Sequence, residues 1–174
     1  KRQGQASRSY NKALEAWRQG QEELAGRASK LLADLGPEET AIVLFGRPYN
    51  AFASLANMGI PAKFASRGYP VVPHDILPAA GNRCREQQRM YYATGRGILA
   101  AAEFVRDNPK LFGVFITSFS CGPDSFLLER FRAVMGDKPF LILELDAHTA
   151  DAGVDTRIEA FLDCLLYTSP SPRD

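Results

Sequence analysis

The chain has 174 residues, of which 45% are hydrophobic and 24% charged, and a formal net charge of +1. That length suits one domain with its own core, and the near-neutral balance excludes a partner held by bulk charge, whether nucleic acid or an acidic membrane surface. No apolar run approaches the roughly 20 residues of a bilayer span and no charged-then-apolar leader opens the chain, so the expectation is a cytoplasmic protein whose function lies in a site. Its three cysteines sit far apart, which leaves metal binding, redox chemistry or plain burial rather than a disulfide framework.

The two ends stand apart from the rest. Residues 164–174, CLLYTSPSPRD, resemble a translated sequencing adapter, and residues 1–3 resemble the same adapter read from the opposite strand. Both are expected to be scars outside the fold, with the native segment belonging to a longer protein and Cys164 excluded as a ligand. The charge balance stays near zero without them.

Between the ends, residues 4–36 carry a helical pattern, with Leu14, Trp17, Leu24, Leu31 and Leu32 among charged and amide residues and Gly36-Pro37 as the stop. Residues 37–163 read as an α/β domain. TAIVLFG (40–46) is a continuous β-branched run, the signature of a strand covered on both faces. A helical stretch over 52–66 leads to YPVVPHDIL, a short second strand interrupted by prolines. A long helix is expected over 83–107, with Tyr91, Thr94, Ile98, Ala102 and Val105 as its buried stripe. LFGVFITSF (111–119) is the third strand, 124–135 a helix, KPFLILELD (138–146) the fourth strand and 155–162 the last helix. The alternation predicts an open, parallel, doubly wound sheet of about four strands, Rossmann- or flavodoxin-like, with an N-terminal helix.

Such sheets bind ligands outside the carboxyl ends of their strands. Four segments leave those ends, GRPYN, PHDILP, SFSCGPDS and ELDAHTADAG, and they are rich in Gly, Pro, Cys, His and Asp. In GRPYN, Gly46, Arg47, Pro48, Tyr49 and Asn50 make either a phosphate- or amide-binding loop or a stiff strand-to-helix turn. In ELDAHTADAG, Glu144, Asp146, His148 and Asp151 suit substrate positioning or proton transfer; the alternative is a turn and helix cap with His148 as hydrogen-bond partner.

Cys121 is the sharpest candidate. It leaves a strand just before a helix start, where free N–H groups and the helix dipole favour a thiolate, the form that attacks or binds metal. Ser120 and Gly122 flank it, and Gly122 permits a tight turn. The alternative is a buried thiol serving as a small hydrophobe. A phosphatase-type loop would need an arginine six residues on, where Leu127 stands. GRGILA (95–100) has the spacing of a dinucleotide fingerprint but follows a helical stretch rather than a strand. Cys84, between Arg83 and Arg85, has no CxxC partner and reads as incidental. No Walker loop or zinc-protease motif is present, and two histidines offer little for a catalytic triad.

MYYATGRGILAAAEFV, FITSFSCGPDSF, KPFLILELDAHTADAGVDTRIEAFLD and GRPYN together resemble the carboxy-terminal part of the 2-hydroxyacyl-CoA dehydratase-like proteins, specifically the large acyl-CoA dehydratase activase-related proteins. The resemblance spans residues 9–163. It implies low-potential, anaerobic iron-sulfur chemistry: a four-iron four-sulfur or double-cubane cluster, fed by an activase ATPase on the same chain or a separate one, and an acyl-CoA or other small substrate. ATP would act only through the activase part, and a homo- or heterodimer is compatible with this arrangement. Cys121 in FSCGPDS matches the cysteine expected to ligate the cluster, while a further family cysteine motif would lie upstream of residue 1. A different class of function, a non-catalytic α/β scaffold or regulatory domain attached to an activase, fits the same fold.

Overall fold

The computed structural model describes residues 2–78, 86, 89–118, 122–146 and 148–168. Helix α1 (Arg2–Ala33) is followed by β1 (Ala41–Phe45), two short helices α2 (Pro48–Ala51) and α3 (Ile60–Ala65), and β2 (Val71–Pro73), which runs into a 3₁₀ turn at His74–Ile76. Then come α4 (Ala93–Asp107), β3 (Leu111–Ser118), α5 (Gly122–Met135), β4 (Phe140–Leu145) and α6 (Asp151–Thr168). No described helix is long and apolar enough to cross a membrane.

The four strands form one parallel sheet in the order β2-β1-β3-β4. All five residues of β1 are buried, and their period of two sends them to opposite layers. Ala41, Val43 and Phe45 face one cluster, with Ile98, Leu99, Ala102 and Val105 of α4, Leu127 and Phe131 of α5, and Ala28 of α1. Ile42 and Leu44 face the other, with Ile60 and Phe64 of α3 and Val154, Ile158, Phe161 and Leu162 of α6. The result is the expected doubly wound α/β sandwich of a sheet between two helical layers. Gly113 on β3 is what lets the first layer close: a Cβ there would stand 3.2 Å from the Phe45 ring and 3.4 Å from the Phe131 ring. In its absence Phe131 packs edge-on against Phe45 and Phe115, at 4.9 and 5.1 Å between centroids, each pair contributing about 0.5–1.5 kcal/mol beyond burial.

Four expectations need correction. The helix expected over 52–66 is two short helices, because the chain between them turns through Met58 and Gly59, both at positive φ, which no α-helix accommodates. The long helix is interrupted: Glu86 and Arg89 are helical, but α4 starts only at Ala93, since Tyr92 is extended (φ −104°, ψ 144°) and Arg96 Nη1 donates to the carbonyls of Met90 and Tyr91 at 3.3 and 3.1 Å; residues 83–85, 87 and 88 lie outside the described residues. Tyr91 and Thr94 consequently leave the buried stripe and are exposed. The last helix is longer than the expected 155–162 and continues through Thr168. Its apolar stripe at Val154, Ile158, Phe161, Leu162 and Leu165 keeps meeting the second layer, so Leu165 is buried while the neighbouring Cys164 is exposed. Only the end of α1 docks: Ala28 is buried and Leu31, Leu32 and Leu35 pack on the core, whereas Tyr10 and Trp17 stay exposed.

The chain goes from β1 to its neighbour β2 on one side and to β3 on the other. The reversal between β1 and β3 creates the crevice where open α/β sheets bind ligands.

Candidate functional site at the carboxyl ends of the strands

At the end of β1 the chain must pass very close to β3. Gly46 does this at φ +139°, and a Cβ on it would lie 2.4 Å from the carbonyl oxygen of Ile116, so only glycine fits. Arg47 follows in an extended conformation and Pro48 opens α2, a position where its missing N–H costs nothing. The amides of Asn50 and Ala51 both donate to the Arg47 carbonyl at 2.9 Å. This hook buries Asn50 and leaves Tyr49 exposed, with the Arg47 guanidinium 4.9 Å from the Tyr49 ring centroid.

β3 ends in Thr117 and Ser118, and each is tied to a neighbouring element. Ser118 Oγ donates to Asn50 Oδ1 at 2.8 Å. Thr117 Oγ1 donates to Asp124 Oδ2 at 2.6 Å, and the other oxygen of Asp124 meets Arg47 Nε at 2.9 Å. Asp124 is 1% exposed; it stands in the first turn of α5, where the helix dipole also favours a negative charge. Tyr92 Oη donates to the Pro123 carbonyl at 3.3 Å, and burial, with Asp124 nearby, pushes its phenol up from the usual value. The end of β1, the end of β3 and the start of α5 are thus locked together by one carboxylate. Ser120 and Cys121 lie outside the described residues; Gly122 is the exposed first residue of α5.

Beside this lock lies a cavity of about 390 Å³, lined by Asn50, Leu55, Ala56, Met58, Ser118, Leu145 and Asp146. The structure therefore brings Asn50 and Asp146, predicted on separate loops, to one cavity. Asp146 Oδ1 accepts from Thr149 Oγ1 at 2.8 Å and from the backbone N–H of His148 at 2.9 Å. These bonds, the one from Thr149 foremost, hold its carboxyl below the usual carboxylate range. His148 is exposed and contributes its backbone to this turn. Glu144 is exposed on β4. Asp151 opens α6 and pairs with Lys63 of α3 at 2.9 Å, in a network that also joins Lys63 and Arg67 to Asp155.

Sequence reasoning passed over Thr117 and Ser118, and placed Asp124 only at the start of a helix; two hydroxyls closing an apolar strand were the signal. It also passed over His74. This ring follows β2, is 5% exposed, donates from Nδ1 to the Leu44 carbonyl at 3.3 Å, and stacks on Phe45 at 5.6 Å. Burial pushes its pKa below the ordinary value, against a smaller opposing pull from Asp75. A histidine held neutral in the fold but free to protonate when unfolded contributes stability above its unfolded pKa, which is lost as pH falls below it. Urea midpoints should accordingly be level above about pH 6.5 and drop toward about pH 5, and His74→Gln should flatten the part of that drop that His74 causes. A wild-type drop unchanged in the variant would assign it to other groups.

Among the described residues no three His, Cys, Asp or Glu side chains are placed to hold a metal ion together. Residues 1–77 match the family model described as the CoA enzyme activase uncharacterised domain. The matched part runs from α1 through the GRPYN hook and His74 and is somewhat under half of the chain. No curated protein and no solved structure matches this chain. The match bears on an activase-related family in general and singles out no dehydratase; in its amino-terminal 77 residues, the chain is similar to a domain of CoA enzyme activases.

Proposed function

We propose that this chain is part of an iron-sulfur protein of the 2-hydroxyacyl-CoA dehydratase and activase-related kind, in which Cys121 supplies one thiolate to a cluster at the crevice between β1 and β3. The observation that carries the reading is the activase-domain match of residues 1–77, which supports a link to CoA enzyme activases; the cluster and ATP-driven electron delivery are what the resemblance of the sequence implies. The bound cluster would supply one-electron, low-potential chemistry to a CoA thioester or another small substrate.

The described residues do not themselves form a cluster's donor set, so the remaining ligands would come from outside them, and no step is derived through the cluster. The contribution of the chain's own residues is positional. Cys121 is three residues after Ser118 and three before Asp124, and both anchors are tied by side-chain hydrogen bonds, to Asn50 and Thr117 respectively. In the sequence Cys121 also directly precedes a 14-residue helix, whose first N–H groups favour a thiolate.

The test is anaerobic reconstitution of the protein from its complete reading frame, with iron and acid-labile sulfide measured beside a Cys121→Ser variant. The expected result is a full complement of iron in the wild type and a substantial loss in the variant. A wild type without cluster removes the reading in favour of a non-catalytic scaffold attached to an activase. A variant that retains all its iron removes Cys121 as a ligand.

A further inference from the structure

One stripe of α1 has two different fates. Tyr10, Leu14, Trp17, Gln21 and Leu24 follow one another at spacings of four and three, and the same repeat runs on through Ala28 and Leu31. That is the a/d repeat of a coiled-coil seam. Ala28 and Leu31 are covered by the protein's own core. The earlier part is not: Tyr10 is 68%, Trp17 62% and Leu24 41% exposed, and none of the five residues joins either hydrophobic cluster of the described residues. A single exposed apolar side chain needs no explanation, whereas a row of them on one face does. The row lies on a segment of about 20 residues that includes Gly4 and Gly20. A helix of that length and composition is marginal in water and draws its stability from packing an apolar face.

Charge along the segment selects what covers it. Arg8 and Lys12 precede Leu14 with no acidic residue before Glu15, and Glu22 and Glu23 follow Trp17. A helix that is basic at its start and acidic farther on complements a second copy of itself when the two run antiparallel; a parallel pair would set Arg8 beside Arg8. The antiparallel register that places Leu14 against the second copy's Trp17 also places Tyr10 against its Gln21, a phenol and an amide able to hydrogen-bond across the seam. On the flank it brings Arg8 beside the second copy's Glu22 and Arg18 beside its Glu15. These pairings use only residues 7–24. They stop short of Ala28, where α1 meets its own domain, so the two α/β domains lie at opposite ends of the pair.

We propose that α1 is a dimerisation element, residues 7–24 pairing with the same residues of a second copy of this chain as an antiparallel two-stranded coiled coil. The interface is isologous, so each substitution in it counts twice. It makes no use of Cys121 and does not rest on the cluster reading, so either can fail without the other.

Trp17 is the only tryptophan of the chain, and its emission therefore reports on the seam directly. Sedimentation equilibrium of the full chain across the micromolar range is expected to show a monomer–dimer equilibrium, with a blue shift of tryptophan emission at the same midpoint. Leu14→Asp sets a carboxylate against both Trp17 rings and lies outside both core clusters; it is expected to weaken the dimer about a hundredfold or more. Arg8→Glu and Glu22→Arg should each weaken it about fivefold, the worth of two exposed ion pairs, and the two together should restore the original affinity, which a parallel pair would not do. A monomer at every concentration, a dimer that Leu14→Asp leaves intact, or charge variants without this loss and recovery overturns the proposal.

Discussion

Replacing Asp124 with alanine is expected to lower the unfolding free energy by about 3 kcal/mol, the lower end of what breaking a buried ion pair from one side costs, seen as a reduced urea midpoint at unchanged slope. The side chain is 1% exposed and serves two partners at once: the Thr117 hydroxyl at 2.6 Å and the Arg47 guanidinium at 2.9 Å. Alanine would leave Arg47, whose side chain is 19% exposed, charged and without this counter-ion, and Thr117 without its acceptor. The lower end of the range applies because Arg47 retains some access to water, which softens the penalty. Asp124→Asn keeps the volume and an acceptor for Thr117, so it should recover part of the loss. A decrease below about 1 kcal/mol for the alanine variant would mean that surface-type screening governs this pair and that the carboxylate does not organise the crevice.

Gly46→Ala should cost about 2–6 kcal/mol, the sum of a strained backbone conformation and an overpacked contact. The two contributions are independent. At φ +139° an L side chain is unfavourable wherever it stands, and here the added methyl would lie 2.4 Å from the Ile116 carbonyl oxygen and 3.0 Å from Ala51 Cβ. The first neighbour is backbone of β3, one residue beyond the last β1–β3 pair of Phe45 with Phe115 and itself paired with Leu143 of β4, and it cannot swing aside as a side chain would. Relief therefore requires β1 and β3 to part at the end where Asn50 meets Ser118, so amide exchange at residues 47–51 and 116–118 should accelerate beyond the global change. A stability loss of less than about 1 kcal/mol, with exchange at those amides unaltered, would show that the close approach is dispensable.

Both variants act where the sequence was least explicit. The strands were legible because burial on both faces leaves a simple trace: TAIVLFG and LFGVFITSF are apolar without alternation, and they became β1 and β3 within a residue or two of the expected bounds. The crossover connections then dictated a parallel sheet. Helices were legible where their stripe lay over the sheet, as with Ile98, Ala102 and Val105, and misread where a local hydrogen bond overrode the pattern, as at Tyr92 and Arg96. The stretch over 52–66 shows the same limit, since a helical composition gives no hint that Met58 and Gly59 turn through positive φ.

For the candidate site, the sequence pointed to the carboxyl ends of the strands and to loops containing Arg47, Asn50 and Asp146, because strand ends collect the polar and turn-forming residues that strands themselves exclude. Which of those residues meet was decided by strand order. Placing β1 between β2 and β3 set the GRPYN hook against Ser118 and Asp124, and placing β4 beyond β3 brought Asp146 to the Asn50 cavity while Asp151 went to Lys63. Periodicity along a chain records which side chains share a face of one element. It holds no record of which element lies next to another, because that is settled by how whole faces bury one another, and so the partners of Asn50 and Asp124 exist only in the folded molecule.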